Sequence, residues 1–126
     1  MQRVIDEAVE KGFVYTILNR RRYLPEIRST EARVRSLAER IARNTGIQGS
    51  AADLIKVAMN RIHQRIRNER GKTRMLLQIH DELLFEAPAA EAEGELDWIS
   101  KEMEGAMELN VPLKVKTSLG KNWREV

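Results

Sequence analysis

Apolar residues recur at helical spacing in the first stretch of the chain, where Val4, Ile5, Ala8 and Val9 share one side of residues 2–11. Gly12 follows as a helix C-cap. Phe13 to Leu18 is short and β-rich, Asn19-Arg20 reads as a turn, and Arg21 to Leu24 reads as a return strand before Pro25. Helical spacing returns with Val34, Leu37 and Ile41, which predicts a helix capped by Ser29 or Thr30 and running to about residue 45, where Gly46 interrupts it. A second, longer helix is expected from about Ile47 to Arg70, its stripe made of Ile47, Ala51, Leu54, Ile55, Ala58, Ile62 and Ile66. Gly71-Lys72 ends it.

Beyond residue 72 the pattern changes. Met75-Leu76-Leu77-Gln78-Ile79, a polar trio His80-Asp81-Glu82 and Leu83-Leu84-Phe85-Glu86 predict two short buried strands around a tight turn. After Pro88, Ala92, Leu96, Ile99, Met103 and Ala106 mark an acidic helix, and the alternation from Val111 to Thr117 predicts a last strand. Strands grouped as hairpins point to an α+β fold with a small antiparallel sheet packed against helices, because a parallel sheet needs strands alternating singly with helices. The length, 126 residues, fits a single domain over 1–126.

Composition narrows the function classes. The chain has no cysteine, which excludes a disulfide scaffold, a thiolate zinc site and a cysteine nucleophile. It has neither a signal-peptide pattern nor an apolar run of membrane-spanning length, so no membrane partner is expected and a cytoplasmic location is the default. The net charge of +3 conceals a segregation: residues 1–74 hold 17 lysines and arginines against 8 acidic residues, a balance of +9, whereas residues 75–126 balance at −6. Basic residues gathered in one part suit a polyanionic partner, most often nucleic acid, although arginines on solvated helix faces give the same count.

Two constellations can carry chemistry. Asp81 and Glu82 are adjacent carboxylates at a turn with apolar flanks, and ionised groups in that setting need solvent, a cation or a hydrogen-bond network. A divalent ion such as Mg²⁺ takes one or two carboxylates and completes its shell with water and phosphates; a plain polar turn is the alternative. His80 beside them fits a packing or hydrogen-bonding role as well as a chemical one. Arg40, Asn44 and Gln48 lie four residues apart and line one side of the helices if Gly46 only kinks the path. All three donate hydrogen bonds, and the minor groove presents acceptors at the same positions in every base pair, so such a row can test duplex shape without reading sequence. A solvated helix face has the same spacing. Ser50 and Asp53 lack a histidine to complete a triad and read as helix-cap or surface residues.

Several segments in order resemble the C-terminal part of family A DNA polymerases. They are Gly12-Phe13-Val14, Arg20-Arg21-Arg22-Tyr23-Leu24-Pro25, Ala38-Glu39-Arg40-Ile41-Ala42-Arg43-Asn44-Thr45, Ile47-Gln48-Gly49-Ser50-Ala51-Ala52-Asp53, Gln78-Ile79-His80-Asp81-Glu82-Leu83, Val111-Pro112-Leu113-Lys114-Val115 and Gly120-Lys121-Asn122-Trp123. The resemblance covers nearly the whole chain. It implies that the His80-Asp81-Glu82 hairpin is motif C of the palm, with Asp81 one of two catalytic metal-binding aspartates, Glu82 an auxiliary carboxylate and metal ligand, and His80 a neighbour of the primer terminus. Arg40, Asn44 and Gln48 match residues that touch the minor-groove side of primer–template DNA. Arg20, Arg21 and Arg22 match a basic stretch leading from fingers to palm, with a structural or a phosphate-contacting role. Gly46 stands where the family usually has proline, which would loosen that junction.

The same resemblance implies a Mg²⁺ two-metal site supplied only in part by these residues, and primer–template DNA and deoxynucleoside triphosphates as partners. Two-metal phosphoryl transfer needs carboxylates from separate strands and donors for the incoming triphosphate. The family's motif A aspartate and its nucleotide-binding fingers helix lie before the residue at which this chain begins. The expectation is a fingers-end and palm piece of a DNA-directed DNA polymerase, with roles in replication and repair, that works with upstream polymerase segments and is inactive alone. A non-catalytic duplex-binding module is the alternative. A single-subunit RNA polymerase relative is disfavoured by Glu82, where that family usually has serine.

Overall fold

A computed structural model of the chain describes residues 2–69 and 71–126. The chain divides into two compact units, Met1–Asp53 and Leu54–Val126.

In the first unit, helix α1 (Gln2–Lys11) ends at Gly12, whose φ of +78° is the left-handed conformation expected of a C-cap. The Gly12 amide donates to Ala8 O, and the Arg28 guanidinium donates to Val9 O and Glu10 O at 2.7 and 2.6 Å. Carbonyls left open at the helix end are thereby satisfied, by a cation where the helix dipole favours one. Strands β1 (Phe13–Tyr15) and β2 (Arg21–Tyr23) pair antiparallel with Tyr15 opposite Arg21. The loop between them turns at Asn19, which has φ +59°. Both arms of this hairpin are shorter than the periodicity predicts. A short 3₁₀ turn, Pro25–Arg28, precedes helix α2 (Ala32–Asn44). The N-cap is Glu31, with no capping side chain, and not Ser29 or Thr30. Ser29 closes the 3₁₀ turn through its amide to Glu26 O, while its hydroxyl accepts from the Glu31 amide. Ala8, Val14, Leu24, Ile27, Ala38 and Ala42 form the core of this unit, with Ile41 packed on it. Burying a side chain the size of Ile27 contributes about 1.5–3 kcal/mol.

Gly46 does not break the helix. Thr45–Gly49 forms a single wide π turn that leads directly into helix α3 (Ser50–Asn68). A π turn inserts a residue into the helical count and so shifts the phase of what precedes it. This explains why Ile47, on the expected apolar stripe, is 64% exposed while Ile55, Ala58 and Ile62 are buried.

In the second unit, strands β3 (Arg74–Ile79) and β4 (Glu82–Glu86) pair antiparallel from Arg74 opposite Glu86 to Ile79 opposite Glu82, with an irregularity between Met75 and Leu77. The hairpin is as predicted, but its strands are not buried: Leu76 and Leu77 remain 48% and 45% exposed. Helix α4 (Ala92–Glu104) follows Pro88 as the spacing predicts, with Ile99 buried. It is joined to α3 within this unit by Arg61 donating to Gly105 O at 2.6 Å, and by Arg65, which pairs with Glu102 and lies 4.5 Å from the Trp98 ring centre. Residues 111–117 do not form the last strand. Alternation alone makes no strand without a partner ladder, and here the Val115 amide donates instead to the Glu104 carboxylate at 3.1 Å. The described sheets are accordingly two separate two-stranded hairpins. None of the described helices is long and apolar enough to cross a membrane.

Candidate nucleic-acid interface and carboxylate turn

The carboxylate turn lies at the tip of the β3–β4 hairpin. With Ile79 opposite Glu82, only His80 and Asp81 remain to make the reversal, so the loop is of the two-residue kind. Loops of that length require a positive φ, and His80 supplies it at +52°. The Gln78 side-chain amide donates to His80 O at 3.1 Å and braces the turn. His80, Asp81 and Glu82 are all exposed, and neither carboxylate has an ion pair or side-chain hydrogen bond among the described residues. The apolar flanks therefore do not enclose them. Two hard oxygen donors projecting from a braced turn suit Mg²⁺, which takes one or two protein carboxylates. Among the described residues no group of three His, Asp or Glu side chains is close enough to hold a metal alone.

The donor row lies in the first unit. Arg40 and Asn44 are on α2 and Gln48 is inside the π turn. Four residues advance about 400° in an α-helix and about 330° in a π turn, so the wide turn keeps Gln48 within about 40° of Arg40 and Asn44, where a regular helix would carry it about 80° from Arg40. All three side chains are exposed. By contrast Arg43, one turn along, is engaged with Glu39 at 3.5 Å.

Each of the three adjacent arginines has an internal partner. Arg20 pairs with Asp53, Arg21 lies over the Phe13 ring at 5.6 Å, and Arg22 donates to Thr45 Oγ1 at 3.4 Å. Arg20 is nevertheless about half exposed, and Arg21 and Arg22 are exposed, so each is both a structural contact and open to solvent.

Sequence reasoning missed the residues that hold the π turn. Asp53 is not at the surface: it is 4% exposed, with Arg20 its ion-pair partner and its Oδ2 without a hydrogen bond. Ser50 is not a free hydroxyl either, since it accepts from the Ile17 amide at 2.8 Å and donates to Gly46 O. Buried Thr45 donates to Ile41 O at 2.8 Å while accepting from Arg22. The one signal for Asp53 in the sequence is that it is the sole charged residue between Arg43 and Lys56.

The family model for DNA polymerase family A matches residues 1–125. DNA polymerase I of Geobacillus stearothermophilus is 52% identical over 123 residues, which cover 98% of this chain and 14% of the relative, and that of Bacillus caldotenax is 51% identical over the same span. The chain thus spans about a seventh of the length of the curated relatives it matches. Among solved structures, the POL domain of Pol1 from M. smegmatis, in complex with DNA primer-template and dNTP, superposes with a TM-score of 0.94 at 45% identity over 98% of this chain and 22% of that one.

Proposed function

The chain belongs to DNA polymerase family A, and from that membership we propose that it supplies the motif C carboxylates and part of the primer–template surface of a template-directed nucleotidyl transferase. The observation that carries the reading is the family match over residues 1–125 together with the placement of Asp81 and Glu82 on an exposed, braced turn. Mg²⁺, when bound, would supply Lewis-acid stabilisation of charge at the reacting phosphate. Asp81 is the principal ligand and Glu82 the auxiliary one, while His80 sets the backbone reversal that aims them and neighbours the primer terminus. Arg40, Asn44 and Gln48 hold the minor-groove side of the duplex, where donors serve every sequence equally. Arg20, Arg21 and Arg22 add positive charge toward the phosphates. Primer–template DNA and deoxynucleoside triphosphates are the substrates, and replication and repair are the processes served. The solved relative bound to DNA primer-template and dNTP supports this assignment. Two-metal transfer also needs a carboxylate from a second strand and a triphosphate site, so the 126 residues act with further polymerase segments and extend no primer alone.

The test is replacement of the matching segment of Geobacillus stearothermophilus DNA polymerase I by this chain. The chimaera extends a primer on a template in Mg²⁺, and the 126-residue chain by itself does not. A chimaera that folds and binds duplex but extends nothing would favour a non-catalytic binding module, and extension by the isolated chain would overturn the division of ligands.

A further inference from the structure

The π turn is an unusual path for these residues. A continuous α-helix through 45–49 is the ordinary alternative, and one inserted residue separates the two by about 100° of rotation. Both ends of the turn are fastened to the β1–β2 hairpin: Arg22 reaches Thr45 at its start, the Ile17 amide reaches Ser50 just past its end, and Arg20 reaches Asp53 one turn further on. The last contact differs in kind. Asp53 is a buried carboxylate with one charged partner and one oxygen without a hydrogen bond, an arrangement that adds little net stability and whose best-attested use is to specify register. What this register sets is the direction of Asn44 and Gln48.

We propose that Asp53 is a positioning residue: its ion pair with Arg20 holds Thr45–Gly49 in the wide turn and thereby aims the Asn44 and Gln48 amides at the duplex. The inference rests on the duplex-contact reading of the donor row. In the Asp53→Asn variant the helix is free to relax toward the regular path, and Gln48 turns away from its acceptor.

The experiment is a thermodynamic cycle on the 126-residue chain, with fluorescence anisotropy of a labelled blunt DNA duplex at constant low salt. In the parent, Gln48→Ala weakens binding by about five- to tenfold, as loss of a base-edge contact does. In the Asp53→Asn background that penalty falls below about twofold, since Gln48 no longer reaches its acceptor. The charge that Asp53→Asn unmasks on Arg20 acts equally in both backgrounds and cancels in the cycle. A Gln48→Ala penalty that is unchanged in Asp53→Asn overturns the positioning role and leaves the duplex reading standing. No penalty in the parent overturns the duplex reading, and the positioning role with it. If Asp53→Asn fails to fold by circular dichroism, Arg20→Gln breaks the same pair from its exposed side and enters the same cycle. Arg20→Lys keeps the charge and restores the full penalty; failure to restore it also counts against the role. Faster hydrogen exchange confined to the amides of residues 45–50 accompanies the uncoupling, whereas general destabilisation would speed exchange in α1 as well.

Discussion

Two glycines three residues apart in the π turn respond oppositely to the same added methyl group. A Cβ on Gly46 meets nothing within 4 Å, and its φ is not in the left-handed region, so Gly46→Ala only lowers the entropy of the unfolded chain. That stabilises by about 0.4–1 kcal/mol. A Cβ on Gly49 lands 2.7 Å from Thr16 Cγ2 and 3.5 Å from Thr45 Cγ2. Thr16 is 8% exposed, and its hydroxyl accepts from the Arg20 amide at 3.2 Å, so rotating the methyl aside breaks a turn hydrogen bond. The backbone must move instead, and overpacking of this kind costs about 1–3 kcal/mol, only partly offset by the helix preference of alanine, about 1 kcal/mol. In thermal denaturation followed by circular dichroism, the two variants should shift the midpoint in opposite directions and separate by roughly 5–10 °C for a chain of this size. Gly49→Ala matching Gly46→Ala in sign and size would refute the close packing of the hairpin on the turn, and with it the physical basis for holding Thr45–Gly49 in place.

Ile62 is fully buried, so Ile62→Ala should destabilise by about 2–5 kcal/mol in urea titration; a change within about 0.5 kcal/mol would contradict its place in the core. Duplex binding by the chain should be indifferent to sequence and decline steeply with salt, because phosphate neutralisation by the +9 segment releases counterions. Arg21→Ala should flatten that salt slope by about one unit, and an unchanged slope would remove Arg21 from the phosphate-facing surface.

Periodicity and turn chemistry made most of the elements legible. Helix α1 with its glycine cap, both hairpins and α4 follow from apolar spacing that local geometry imposes whatever lies around them. The failures are tertiary. A hairpin from earlier in the chain is fastened to both ends of the π turn, and no local pattern in Thr45-Gly46-Ile47-Gln48-Gly49 announces a wide turn. Residues 111–117 alternate as a strand should but have no ladder to join. Exposure of Leu76 and Leu77 has the same origin, since two strands alone cannot cover both faces of a sheet. Among candidate site residues, the position of the His80-Asp81-Glu82 turn was legible because a polar trio between two apolar runs marks the reversal of a hairpin. Asp53 was not, because a single acid in the first turn of a helix ordinarily faces water.

Asp81→Asn in the chimaeric polymerase, measured as single-turnover primer extension in Mg²⁺ beside duplex affinity, separates a metal-binding motif C from a polar turn. The substitution keeps the size of the side chain and removes the charge proposed to hold the metal. Extension should fall on the order of 100-fold or more, while the fold and the duplex Kd stay near those of the parent. Glu82→Gln should lose less. Extension by Asp81→Asn at close to the parent rate would contradict the assignment and return the His80-Asp81-Glu82 tip to a plain polar turn.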